Sequence, residues 1–100
     1  MSELFCYVVS YDIRDQKRLQ RVHKTMMGFG EPLHYSVFRC DLTRKGREEM
    51  AEAIMSLIEN DADRVMIIDM GPVDGRVEER VEFLGCDHRE HQSKRDVIIA

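Results

Sequence analysis

Asp12 is the residue of this sequence best placed to do chemistry, because of what precedes and follows it. It nearly closes the run LFCYVVSYDI (residues 4–13), which is otherwise uncharged and reads as a buried strand. A carboxylate at the end of such a strand can cap the helix that follows, since aspartate is favoured at that position. It can also bind Mg²⁺, which prefers carboxylate oxygens and water.

A basic stretch follows Asp12 directly and is a candidate for contact with phosphates. Residues 14–24 carry five basic side chains against one acidic side chain, in a chain whose net charge is −4. A phosphate-binding surface needs a local patch of cations and not a positive total, so the distribution matters more than the sum. An ordinary solvated helix face is the alternative. The basic residues are Arg14, Lys17, Arg18, Arg21 and Lys24.

Hydrophobic periodicity predicts the elements that must position these residues. In the first helix, Leu19, Val22 and Met26 recur at helical spacing as a core stripe, opposite the cations Lys17, Arg21 and Lys24. Thr43 is the expected N-cap of the second helix. Strands are expected over 3–12, 33–41 and 64–70, and helices over 15–28 and 44–59.

This order of elements predicts an α+β fold, a ferredoxin-like βαββαβ two-layer sandwich. The segment 33–41 contains no turn residue, so one long strand and two short strands with a sharp bend both stay open. We expect the ferredoxin-like domain to span 1–78. A C-terminal strand over 80–85 and a tail would then occupy 79–100 and form part of a dimer interface.

Composition fits a single globular domain, with 43% hydrophobic and 34% charged residues among 100. No apolar run is long enough to span a membrane and no leader is evident, so we expect a cytoplasmic protein. Three cysteines without a C-x-x-C pair predict free thiols, with Cys6 and Cys40 in the core. The segment CDHREH (86–91) fits no common structural zinc pattern well, which favours a solvated tail.

Several motifs together resemble the small CRISPR-associated protein of the Cas-two family, the smaller partner of the CRISPR integrase. They are VVSYDI, the basic first helix, GFGE, YSVFRCDL and VEFLG, between residues 4 and 85. YDI alone would be a weak signal. YDI followed by YSVFRC is the specific part of the match.

The resemblance implies a homodimer in which the strand over 80–85 pairs with the sheet of the partner protomer. It implies a Mg²⁺-dependent endonuclease acting on RNA or double-stranded DNA, with Asp12 as the catalytic and metal-binding residue, paired across the dimer axis. It also implies a role in spacer acquisition, a step of antiviral defence. There the dimer holds new spacer DNA together with the integrase, the large adaptation subunit.

Further residues at motif positions of the family are candidates for supporting roles. Ser36 could hydrogen-bond a phosphate or water near Asp12, or satisfy a backbone group of a strand. Tyr11 and Phe38 are expected to pack in the core. Arg39, inside YSVFRC, is a weaker candidate for nucleic-acid contact, as is Arg14.

Three alternative functions stay open at this point. The first is a non-catalytic structural adaptor of the integrase complex, in which Asp12 only caps or orients. The second is a toxin-like ribonuclease on the same scaffold, acting without an integrase. The third is a ligand-binding regulatory module, for which the sequence offers no glycine-rich loop.

Overall fold

Four antiparallel strands and two long helices form the ferredoxin-like arrangement that the sequence predicts. The computed structural model describes residues 3–74 and 76–85. The strands lie in the order β2-β3-β1-β4, so β1 is central and β2 and β4 are the edges. In chain order the elements are β1 (Phe5–Asp12), α1 (Gln16–Met27), β2 (Glu31–His34), β3 (Val37–Leu42), α2 (Arg44–Met55), β4 (Arg64–Pro72) and the short α3 (Val77–Arg80).

Buried and more exposed side chains alternate along β1, and the buried ones identify the face of the sheet that the helices cover. Tyr7, Val9 and Tyr11 are at most 4% exposed and belong to one core cluster. Because successive side chains of a strand point to opposite faces, Val8 and Asp12 lie on the other side, which we call the open face. The core cluster is completed by Ile13, Phe38 and Cys40, by Val22 and Met26 of α1 and by Met50 and Ile54 of α2.

The segment 33–41 is divided into two strands, which decides the alternative that the sequence left open. β2 ends at His34, β3 begins at Val37, and Tyr35 and Ser36 form the turn between them. The Tyr11 N–H donates to the Ser36 carbonyl oxygen at 3.1 Å. This bond joins the turn to the end of β1.

Helix α2 ends earlier than the apolar pattern indicates. Thr43 is its N-cap, as predicted, and its hydroxyl accepts from the Gly46 N–H at 2.9 Å. The predicted end at residue 59 is wrong, because the helix stops at Met55. The Glu59 N–H donates to the carboxylate of Asp63 at 2.8 Å instead of continuing the helical series.

The predicted strand over 80–85 does not form within the described part of this chain. Residues 77–80 make a helical turn, and 81–85 pair with no strand there. Val77 is fully buried, and the Arg80 guanidinium donates to the Met70 carbonyl oxygen at 2.7 Å, so this segment packs back onto its own sheet. Strand exchange with a partner and the domain boundary at 78 stay predictions. The CDHREH segment lies outside the described residues.

Cys6 and Cys40 are buried free thiols, as predicted. Burial raises the pKa of the Cys40 thiol to about 11, so it stays protonated and unreactive at neutral pH. None of the helices in residues 3–74 and 76–85 is long and apolar enough to cross a membrane.

Gly30 provides a test of how closely β3 packs against the chain that leads into β2. A methyl group added at Gly30 would lie 2.3 Å from the Arg39 carbonyl oxygen and 2.6 Å from the Cys40 sulfur. We therefore expect Gly30→Ala to lower the free energy of unfolding by about 1–3 kcal/mol in urea titrations. Gly46→Ala is the control, because it meets only side-chain atoms, at 3.3 Å or more, in a helix that favours alanine. Equal effects of the two variants would contradict this account.

Candidate metal and nucleic-acid site

Asp12 is exposed at the last position of the central strand β1. It does not cap α1. That cap is Asp15, whose carboxylate accepts from the Arg18 N–H at 3.0 Å, so the capping interpretation of Asp12 is wrong. Within the residues described, the Asp12 carboxylate makes no hydrogen bond or ion pair. Arg64 of β4 lies opposite it in register.

Asp12 borders an open cleft of about 560 Å³ where the end of β1 meets α1 and the β2–β3 turn. Strand β1 contributes one wall, helix α1 a second, and the turn a third. A cleft of this size between a carboxylate and a basic helix has room for part of a nucleotide. It is lined by Tyr11, Asp12, Ile13, Leu19, Gln20, His23, Tyr35 and Ser36.

Tyr11 fixes the walls of this cleft relative to one another. Its hydroxyl is hydrogen-bonded to Nδ1 of His23 on α1, with 3.0 Å between the two atoms, and donates to the Tyr35 carbonyl oxygen at 3.5 Å. Burial raises the pKa of Tyr11 to about 12, so the hydroxyl stays neutral. The expectation that Tyr11 packs in the core agrees with its burial. The link from Tyr11 to His23 has no sequence signal, since the two residues lie on different elements.

Three of the predicted phosphate contacts form an exposed stripe along α1. Lys17, Arg21 and Lys24 are all exposed and follow helical spacing. Arg14 is exposed just before the helix, and its backbone N–H donates to the Asp63 carboxylate at 2.9 Å. The geometry is therefore compatible with a strand of phosphates along this surface.

Arg18 is separated from that stripe by an ion pair that the sequence analysis missed. Its Nε donates to Asp63 at 2.9 Å and its Nη2 at 3.2 Å, and the Asp63 side chain has no exposed surface. The Arg18 guanidinium beside Asp63 and two backbone N–H donors hold the pKa of that carboxyl well below its usual range. Arg18 thus has a structural partner, and its contact with nucleic acid stays a prediction.

The remaining motif residues lie on both faces of the sheet. Phe38 is fully buried in the core cluster, as expected. Arg39 lies on the open face, and its Nε donates to Asp41 at 3.1 Å, so its role toward nucleic acid stays a prediction. Ser36 lies in the β2–β3 turn and lines the cleft with Asp12, as its predicted supporting role requires.

Comparison with known proteins identifies the scaffold. The profile of the family described as CRISPR associated protein Cas2 matches residues 5–74. The chain belongs to the Cas2 family. A Rhodospirillum rubrum relative, named CRISPR-associated endoribonuclease Cas2 1, is 46% identical over 79 residues, which are 79% of this chain and 76% of the relative. A Geobacter sulfurreducens relative, named CRISPR-associated endoribonuclease Cas2, is 44% identical over 79% of this chain and 82% of its own length.

Solved structures agree with this assignment of the Cas2 fold. A hypothetical protein from Thermus thermophilus superposes with a TM-score of 0.71 at 30% identity, covering 84% of this chain and 94% of that one. Streptococcus pyogenes Cas2, crystallised at pH 6.5, superposes with a TM-score of 0.69 at 25% identity, covering 80% of this chain and 99% of that one.

We expect Asp63→Asn to destabilise the protein, because an amide cannot accept all the hydrogen bonds that the carboxylate accepts from Arg18, Arg14 and Glu59. The folded pKa of Asp63 lies below its usual value of 3.8, so its contribution is present above that pH and is lost as the pH falls toward the folded pKa. The urea concentration at the midpoint of unfolding should therefore be lower for the variant than for the wild type at neutral pH. It should also decrease less for the variant as the pH is lowered.

Asp61→Asn, an exposed change in the same turn, is the matched control and should leave both the midpoint and its acid dependence unchanged. A neutral-pH midpoint of Asp63→Asn equal to that of the control would show that the ion pair adds nothing to stability.

Proposed function

We propose that this Cas2 protein is a Mg²⁺-dependent endonuclease of CRISPR adaptation that acts in the cytoplasm as a homodimer. The observation that carries the proposal is Asp12. It is an exposed carboxylate at the end of the central strand, unpaired within the described part of the chain, beside a cleft and a basic helix. The names of the R. rubrum and G. sulfurreducens relatives support RNA as the substrate. Double-stranded DNA is the second candidate substrate.

Asp12 suits Mg²⁺ as one ligand of a water-rich site. A carboxylate is a hard ligand, and Mg²⁺ keeps several waters when it binds to proteins. Among residues 3–74 and 76–85, no group of three or more His, Cys, Asp or Glu side chains could hold a metal ion. A second Asp12 from a two-fold related chain would supply the missing carboxylate. When bound, the ion would polarise a phosphoryl oxygen and lower the pKa of a water molecule.

The chain's own residues would hold and orient the nucleic acid at this position. Lys17, Arg21 and Lys24 would neutralise backbone phosphates along α1 without reading bases, since they are surface cations. The Ser36 hydroxyl, on the turn beside Asp12, would donate to a phosphate oxygen. Because the Tyr11 hydrogen bonds tie this turn to β1 and α1, the cleft needs no large rearrangement to receive a strand.

Two features of the sheet support a homodimer. Met66 and Ile68 on the open face are 51% and 41% exposed, and Val8 and Val37 beside them are half-buried. This is an apolar surface of the kind that marks interfaces. Strand β4 is nine residues long and lies at an edge of the sheet, where another strand can add. We propose a second copy of this chain as the occupant and the CRISPR integrase as the partner of the dimer.

Asp12→Asn tests the metal-ligand role. A neutral amide is a much poorer ligand for a hard cation, so Mg²⁺-dependent cleavage of RNA or duplex DNA should fall about a hundredfold or more. The free energy of unfolding should change by less than about 0.5 kcal/mol, since the side chain is exposed and unpaired within the described residues. Asp61→Asn is the control and should cleave like the wild type. If the wild type fails to cleave in the presence of every divalent cation tried, the non-catalytic adaptor of the integrase replaces this proposal.

Mixed dimers test the pairing of Asp12 across the axis. Wild-type and Asp12→Asn chains, mixed and allowed to exchange, should show cleavage that follows the square of the wild-type fraction, because one neutral partner disables the shared site. A linear dependence would mean that each chain cuts alone. A protein that sediments as a monomer at micromolar concentration would rule out the dimer itself.

The stripe on α1 predicts how binding depends on salt. Replacing Lys17 and Lys24 together with Gln should reduce the slope of log affinity for duplex DNA against log salt by about 0.9 for each phosphate that the variant no longer neutralises. The charge-matched control replaces the exposed Lys45 and Arg76 with Gln and should leave the slope unchanged. Equal slopes for the two double variants, measured by fluorescence anisotropy, would place the phosphates elsewhere.

A further inference from the structure

Tyr35 is an aromatic side chain that the proposed cleavage chemistry does not use. It lies in the two-residue turn between β2 and β3 and is 78% exposed. The other six aromatic residues of the chain are all buried or half-buried. The His34 ring packs at 81° to the Tyr35 ring, with 5.2 Å between their centroids, so the two rings form a corner on the surface of the turn.

The turn that carries Tyr35 is held next to Asp12. The Tyr11 N–H donates to the Ser36 carbonyl oxygen at 3.1 Å, and the Tyr11 hydroxyl donates to the Tyr35 carbonyl oxygen at 3.5 Å. Tyr11 is the residue that precedes Asp12, and its hydroxyl is hydrogen-bonded to His23. The backbone of Tyr35 is therefore tied to the strand end that presents the carboxylate, and both residues line the same cleft.

Cations lie next to the helical wall of this cleft. Gln20 of α1 lines it, and the exposed Lys17 and Lys24 are three residues before and four residues after Gln20. Residues at these spacings are neighbours on a helix surface. An aromatic ring and a carboxylate thus line one opening, and two lysines lie on the helix surface next to its α1 wall. A stacking surface beside cations is the combination that binds single strands.

From this arrangement we infer that Tyr35 is a base-stacking platform that receives an unpaired nucleotide of a single strand at the Asp12 cleft. Every base has a flat face that can stack on an aromatic ring, but within a duplex those faces are covered by neighbouring bases. A ring on a surface turn can therefore stack only on a base that has left the stack. The inference rests on the proposed nucleic-acid function and deepens it by naming the residue of this chain that would hold an unpaired base.

Binding without cleavage tests the inference separately from the nuclease proposal. The probe is a short single-stranded RNA that carries one 2-aminopurine, whose fluorescence is quenched on stacking, measured in chelator. The same sequence as single-stranded DNA and as duplex DNA provides the comparison. For Tyr35→Ala we expect about tenfold weaker binding of both single strands, loss of the quenching, and an unchanged affinity for duplex. Tyr35→Phe, which keeps the ring, should bind and quench like the wild type.

Tyr35→Leu separates stacking from apolar bulk, and it should behave like Tyr35→Ala. Urea midpoints equal to that of the wild type show that the variants are folded, as expected for so exposed a position. The inference is overturned if Tyr35→Ala binds single strands as tightly as the wild type, or if it loses duplex and single-strand binding equally. It is also overturned if Tyr35→Leu quenches normally. Binding and quenching are both measured in chelator, where no metal-dependent cleavage occurs, so a failure of the nuclease proposal leaves this result standing.

Discussion

The buried carboxylate of Asp63 is the constraint on which the geometry of this end of the molecule depends. It accepts from the backbone N–H groups of Arg14 and Glu59 and from two nitrogens of the Arg18 guanidinium. Those partners belong to the loop before α1, to α1 itself and to the turn after α2. One side chain therefore sets where the basic helix starts relative to Asp12 at the end of β1. It also ends the hydrogen-bond series of α2 before β4 begins.

The sheet has a core face and an open face, and the candidate functional side chains of β1 lie on both. Tyr11 points toward the helices and organises the cleft walls, whereas Asp12, the next residue, belongs to the open face with Met66 and Ile68. A carboxylate on that face can meet a second copy of itself when two sheets associate. The cationic stripe of α1 lies outside such an interface and stays accessible to phosphates. In the proposed function, the metal-binding carboxylate therefore lies on the open face, and the phosphate-binding cations lie on α1, which covers the other face.

The sequence was sufficient for those parts of the site that depend on local pattern. The strand ending at Asp12, the amphipathic α1 with its cations and the Thr43 cap all follow from spacing and residue type. It was not sufficient where distant residues meet. In the sequence, Arg18 looks like the other cations of α1. Only its hydrogen bonds to Asp63, which lies 45 residues later, distinguish it from Arg21. The turn at Tyr35 was equally hidden, because it contains no glycine, proline or asparagine and is held by Tyr11 from another strand.

Adjacent placement of Tyr11 and Asp12 on opposite faces also limits how this gene can change over time. A single-codon insertion or deletion within the first strand would exchange the two faces from that point onward, since side chains alternate with a period of two. It would direct a carboxylate into the core and a tyrosine toward the open face. A point substitution near the end of β1 changes one side chain and leaves the others on their faces. A change in length moves every later side chain of the strand to the opposite face. Variation in length among descendants of this gene should therefore accumulate in the connections between elements and leave the first strand intact.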